Sequence, residues 1–258
     1  MAKATKQKPE KVTKQLVRNE NIQSKNPIRM WVIFIIFLAM AIPLAFGVKA
    51  YVGAQQQKSH MAAYLKEKYG KEFVVTNFRV EGGGFAVKGD PNADAYPKDD
   101  KTLKFRVTNL SDDGGYSFID EYPGAVWAKE EHDRLKPVLT KIFGYTPDYK
   151  VEVHTIAHLA YDLKGNFGSF QDNAKRYGEK IGMSLTVYSK EKIINDENKQ
   201  VVVNRFFSLI QELKPLSINT TIYYMGADGT HGIHLESINK SSVDIKQPSD
   251  LLIKFSGV

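Results

Sequence analysis

Six histidines and no cysteine set narrow limits on the chemistry this chain can perform. His158-Leu-Ala-Tyr-Asp162 supplies an imidazole and a carboxylate, and His231-Gly-Ile-His234 supplies two further imidazoles, all of them zinc-ligand types. On a strand, the three-residue step from His231 to His234 points the two rings to opposite faces. His154 and His158 suit one ion only on a helix; with His154 ending a strand, their Cα atoms lie ~13 Å apart, and that pair is rejected. Ser189-Lys-Glu-Lys192 and Ser237-Ile-Asn-Lys240 both place a lysine three residues after a serine. No companion Lys-Thr-Gly or Lys-Ser-Gly follows, and neither serine opens a helix, so both read as chance. Glu130-Glu131 reads as a solvated helix face. Gly82–Gly84 reads as a hairpin, since no Lys-Ser/Thr pair or helix start follows it as a phosphate loop requires.

The His158-x-x-x-Asp162 spacing resembles the first half of the zinc motif of lysostaphin-like peptidases. That family's second half is His-x-His, and His231-Gly-Ile-His234 is one residue longer. The resemblance implies a zinc-dependent cell-wall peptidase using His158, Asp162 and His231 or His234, and this is the alternative expectation. The leading expectation assigns no catalytic, cofactor or metal residue. With no cysteine, disulfides, thiolate zinc clusters, iron–sulfur sites and cysteine nucleophiles are excluded.

Positioning elements come next, and the first is apolar. Met30–Val48 carries no charge over 19 residues, which as a helix span ~28 Å, about the thickness of a bilayer's hydrocarbon core. The run is longer than a cleavable signal core, so Ala45-Phe46-Gly47 is not read as a cleavage site. Residues 1–29 hold eight Lys or Arg against two Glu, +6 of the formal +7. Positive residues beside a span stay cytoplasmic, so the tail is expected inside and the C-terminal domain outside. The nearly neutral remainder lacks the electrostatic footprint of a nucleic-acid binder. The sequons at Asn109, Asn219 and Asn239 read as chance.

Beyond the span, Met61, Tyr64, Leu65 and Tyr69 recur at helical spacing, with Gly70 as the stop. Strands are expected at Phe73–Val80, Phe85–Lys88, Leu103–Asn109 and Tyr116–Asp120, with turns at Gly82–Gly84 and Asp112–Gly115 and an exposed loop over Gly89–Lys101. A helix is predicted over Pro123–Phe143, burying Trp127, Leu135, Val138, Leu139 and Phe143. Pro137 should kink or split it, and Gly144 ends it. A strand then alternates through Tyr149, Val151 and Val153. Ser169 with Asp172 forms a capping box for a helix with Phe170, Ala174, Tyr177 and Ile181 on its apolar stripe. Met183–Tyr188 reads as a strand. Asp196–Leu213 is a clear helix, and Leu216–Met225 a strand with Leu216, Ile218, Thr220, Ile222 and Tyr224 on one side. A turn at Asp228-Gly229 and a strand at Gly232–Glu236 follow, and Ser249–Phe255 is open between a helix and an edge strand. Most Tyr and Phe, Tyr223-Tyr224 included, are expected to be buried in sheets.

The span followed by Tyr64-Leu-Lys-Glu-Lys-Tyr-Gly-Lys-Glu-Phe73 and an alternating strand is similar to uncharacterised membrane-anchored exported proteins of Gram-positive-type bacteria, from the span through Leu110. That likeness implies an envelope location and names no activity. The expectation is an α+β protein: a basic cytoplasmic tail (1–29), a single transmembrane helix (30–52), a stalk helix (53–70) and an extracytoplasmic mixed helix and antiparallel-sheet domain (71–258), with 71–157 and 158–258 as candidate halves. It would sit in the cell membrane as a binding or envelope-assembly protein. The bilayer and another envelope protein or cell-wall component are the expected partners; no cofactor and no nucleic acid are expected.

Overall fold

The computed structural model describes residues 27–82, 89–110, 117–190, 196–216, 218–226, 231–235, 245–252 and 255–257. The chain divides into two compact units, Met1–Val52 and Gly53–Val258. Helix α1 runs from Pro27 to Tyr69. In the first unit, every large apolar side chain described from Ile28 to Val52 is at least 44% exposed. By length and composition, this stretch is sufficient to cross a membrane.

The second unit is α+β, with two sheets. From Gly53 onward α1 turns amphipathic, and Met61, Leu65 and Tyr69, four residues apart, are buried against the first sheet. The segment set apart in sequence as a stalk therefore packs into the core of this unit. Gly70, at φ 67°, ends α1 with its N–H on the Lys66 carbonyl. The first sheet is a meander, β1 (Phe73–Glu81), β2 (Asp90–Pro97), β3 (Phe105–Asn109) and β4 (Phe118–Asp120), each antiparallel to the next.

β2 corrects the expectation of an exposed loop over Gly89–Lys101. It is an interior strand whose Ala93, Ala95 and Pro97 face the core. Small residues do that work there, and the prolines lie near its two ends, where a missing N–H costs the ladder least. The strand expected at Phe85–Lys88 and the turns at Asp112–Gly115 and Asp228-Gly229 lie outside the described residues, as does most of the Gly82–Gly84 turn. The β1–β2 pairing across that last turn is antiparallel, as a hairpin requires.

Helix α2 (Tyr122–Phe143) connects the sheets. It runs through Pro137 without splitting, buries Trp127, Leu135, Leu139 and Phe143, and ends at Gly144 with φ 77°. Val138 is only half-buried. The second sheet has the order β5 (Asp148–Thr155), β6 (Ile181–Tyr188), β7 (Asn219–Met225), β8 (His231–Leu235), β9 (Phe255–Gly257). Among the described strands only β6 and β7 are parallel, joined by α5 (Asp196–Leu213) as a crossover. Because β5 pairs with β6, the sheets divide at α2, ahead of the 157/158 boundary read from sequence.

Between β5 and β6 lie α3 (Ala157–Asp162) and α4 (Phe170–Tyr177), the latter capped by the Ser169 hydroxyl accepting from the Asp172 N–H at 3.2 Å. Ile181 is not on the α4 stripe: Gly178 closes that helix and Ile181 opens β6 as a core residue. The C-terminal segment left open between two structures contains both α6 (Ser249–Leu252) and β9. Apolar faces of α2, α4 and α5 pack on one side of the second sheet, around Phe206, Leu185 and Ile222.

Candidate functional site

Among the described residues of the second unit, two polar arrangements bear on function. The first is a buried lysine. The Lys68 side chain is 3% exposed, and its three ammonium protons are all used. It donates to Asp120 Oδ2 at 2.7 Å, to the Tyr64 hydroxyl at 2.9 Å and to the Ala160 carbonyl at 2.7 Å. Asp120 also accepts from Tyr64 at 2.9 Å, from Tyr69 at 2.8 Å and from the Tyr122 N–H at 3.1 Å. One closed network thus fastens α1 to β4, to the start of α2 and to α3. Burial, with the charge of Asp120 adding to it, pushes the Tyr64 and Tyr69 hydroxyls well above the ordinary tyrosine range. Burial lowers Lys68, with Asp120 opposing. Every polar atom has its partner, which is what makes such a network worth its desolvation.

The second arrangement is a cleft of ≈ 630 Å³ between the sheets, within the size range of ligand sites. Its floor is the N-terminal half of α2, where Gly124, Ala125 and Ala128 keep the surface low. One wall is Thr102–Phe105, ahead of and into β3, and the other is Tyr149–His154 of β5. A smaller recess of ≈ 110 Å³ shares Glu121, Gly124, Val153 and His154 with it and reaches Asp120 and Ala160 of the lysine network. Gly124 is required: a Cβ there would sit 2.3 Å from the Val153 carbonyl oxygen.

Charges of both signs line the cleft. Lys129 holds Asp100 at 2.9 Å; with the Thr102 hydroxyl bond as the larger cause, Asp100 is held down at about 2. Lys150 pairs with Glu152 at 2.6 Å. The His132 ring stacks on Tyr149 at 4.4 Å, and the Tyr149 hydroxyl donates to the His132 carbonyl at 2.7 Å. This lining offers recognition: hydrogen bonds, paired charges and small apolar patches.

The residues singled out from sequence are dispersed. His158 and Asp162 are exposed, one turn apart on α3, which leaves the sheet at β5. His231 and His234 lie on β8, with His234 opposite Tyr223. Two strands separate β5 from β8, so those strands are about 14 Å apart at ordinary spacing. Among the described residues, no group of three or more His, Asp or Glu gathers as for a metal.

Ser189 is buried near the Tyr145 hydroxyl, while Lys192, Ser237 and Lys240 lie outside the described residues. Glu130-Glu131 is a correction. Glu131 is fully buried and takes a two-pronged bond from Arg134 at 2.8 and 2.6 Å, and Glu130 accepts the Phe170 N–H at 2.9 Å. Both carboxylates are used in packing α4 onto α2. Tyr224 is buried as expected, whereas Tyr223 is 38% exposed.

No protein-family model matches this chain, and none of the curated proteins does. Among solved structures, the crystal structure of a DUF5037 family protein from Ruminococcus gnavus ATCC 29149 is similar. The match covers 66% of this chain and 76% of that one, at 14% identity and a TM-score of 0.38.

Proposed function

We propose that this chain is a single-pass membrane protein whose domain from Gly53 onward lies outside the cytoplasm and binds a component of the cell envelope through the cleft between its sheets. The observation that carries the proposal is α1: its apolar stretch has no buried face, and it continues into a helix with one. Such an all-round apolar surface is costly in water and suits lipid. Eight basic residues before the span favour retention of the N-terminus in the cytoplasm. They also give the tail an attraction for anionic headgroups of about 1 kcal/mol per residue held near the surface. The cleft supports binding over catalysis by its mixed charge and small-residue floor.

Reporter fusions test the topology. A phosphatase that works only after export, joined at Val258, should be active, and a fluorescent reporter that matures only in the cytoplasm should be dark. The reverse pair of results overturns the proposal.

A further inference from the structure

The cleft is lined by six consecutive residues of β5, Tyr149 to His154. A hollow over the face of a sheet meets every second side chain; one that meets each residue in turn runs along the strand's edge. β5 is such an edge. It pairs with β6 over eight positions in unbroken register, and among the described residues no strand pairs with its other side.

Two contacts fix which backbone groups face outward. Just past the strand, the Ile156 N–H bonds the Lys180 carbonyl, so residues an even number of steps back bond β6 and the odd-numbered ones turn away. The Val153 carbonyl agrees, because it abuts Gly124 of α2. The N–H and C=O of Tyr149 and Val151 therefore face the cleft.

Natural sheets guard such rows. The first sheet does so at its edge strand β1: its register shifts between Thr76 and Arg79, Asn77 takes φ 45°, and Arg79 pairs with Glu81. β5 has neither bulge nor proline.

We infer that the cleft takes an extended peptide segment of another exported polypeptide, added as a strand to β5. This rests on the binding function proposed above and names its ligand class. Main-chain bonds to Tyr149 and Val151 would supply affinity, and alternate side chains would supply selectivity. One set lies over Ala125 and Ala128; the other emerges beside the Lys150–Glu152 pair. The balanced charge of the lining suits a peptide of mixed charge and disfavours a polyanion.

The test uses the full chain in nanodiscs and a fluorescent, end-capped peptide Lys-Val-Thr-Val-Thr-Val-Lys, with its fully N-methylated twin. The parent peptide is expected to bind and the twin to bind at least about tenfold more weakly, since it can no longer donate main-chain bonds to the carbonyls of β5. Ala128→Trp on the floor and Thr102→Trp on the exposed wall, each with an unchanged melting temperature, should weaken the parent peptide by a similar factor. Glu212→Ala, in the separate hollow between α2 and α5, should leave it unchanged. Equal binding of parent and twin, absence of binding by the parent, or wild-type affinity in Thr102→Trp overturns the inference. Those outcomes leave the reporter-fusion result standing, and an inverted reporter result leaves the peptide measurement standing, so the two failures are distinguishable.

Discussion

At the residue scale, the Lys68–Asp120 network dominates. Removing one partner leaves a buried charge uncompensated, so Asp120→Ala should cost about 3–5 kcal/mol of stability. The double variant Lys68→Met/Asp120→Leu should cost less than the sum of its single changes; urea unfolding of all three checks this. The network also fixes an alkaline pH profile. Tyr64 and Tyr69 are raised above their ordinary 10.0, so above that pH the unfolded chain sheds protons that the folded one keeps, and stability falls. Lys68 is lowered from 10.5, so approaching that value from below the unfolded chain binds more protons and stability rises. Urea midpoints should therefore peak near pH 10, with Tyr69→Phe flattening the decline above it. His158→Ala should leave both metal content and stability unchanged, measured by elemental analysis and melting; one zinc per chain lost in the variant would favour the peptidase alternative. Of this network the sequence showed only Tyr64 and Tyr69, as members of a helical apolar spacing, and not the charged pair they bond. Nothing local marks Lys68 as buried or Asp120, 52 residues on, as its partner. The same blindness put Glu131 in solvent, because burial of a charge is decided by a distant element.

At the element scale, sequence patterning performed well wherever one face was large and apolar. The bounds of α5, the Gly144 stop, the Ser169 cap and the alternating strands β5, β6 and β7 follow from side-chain size and periodicity alone. β2 did not, because its inward face is built from alanines beneath bulkier neighbours, and composition then resembles a loop. The cleft was equally hidden: a strand edge is a property of pairing, and β5 becomes an edge only once the chain is folded. Gly124 offers a sharp check. Gly→Ala inside a helix ordinarily gains about 1 kcal/mol. Here the added carbon meets the Val153 carbonyl, so Gly124→Ala should destabilise by about 1–3 kcal/mol in urea unfolding.

At the scale of the whole molecule, the division at Val52 and the burial of Met61, Leu65 and Tyr69 set where the chain can be cut. A fragment beginning at Gly53 should be soluble and unfold in one cooperative transition. One beginning at Lys71 should fail to fold, since it lacks one wall of the first core and the lysine that neutralises Asp120. Circular dichroism melting of the two fragments decides it. The unequal wiring of the sheets also has a temporal side. All pairings of the meander fall between Phe73 and Asp120, close in sequence and fast to close, whereas the parallel β6–β7 pair must wait for the α5 crossover and the last strand comes at Gly257. A chain delivered N-terminus first can therefore assemble α1 and its sheet before the second sheet exists. The bond from Lys68 to the Ala160 carbonyl forms only once β5 has been followed by α3, so the last proton of that ammonium reports the arrival of the first segment beyond the meander and α2.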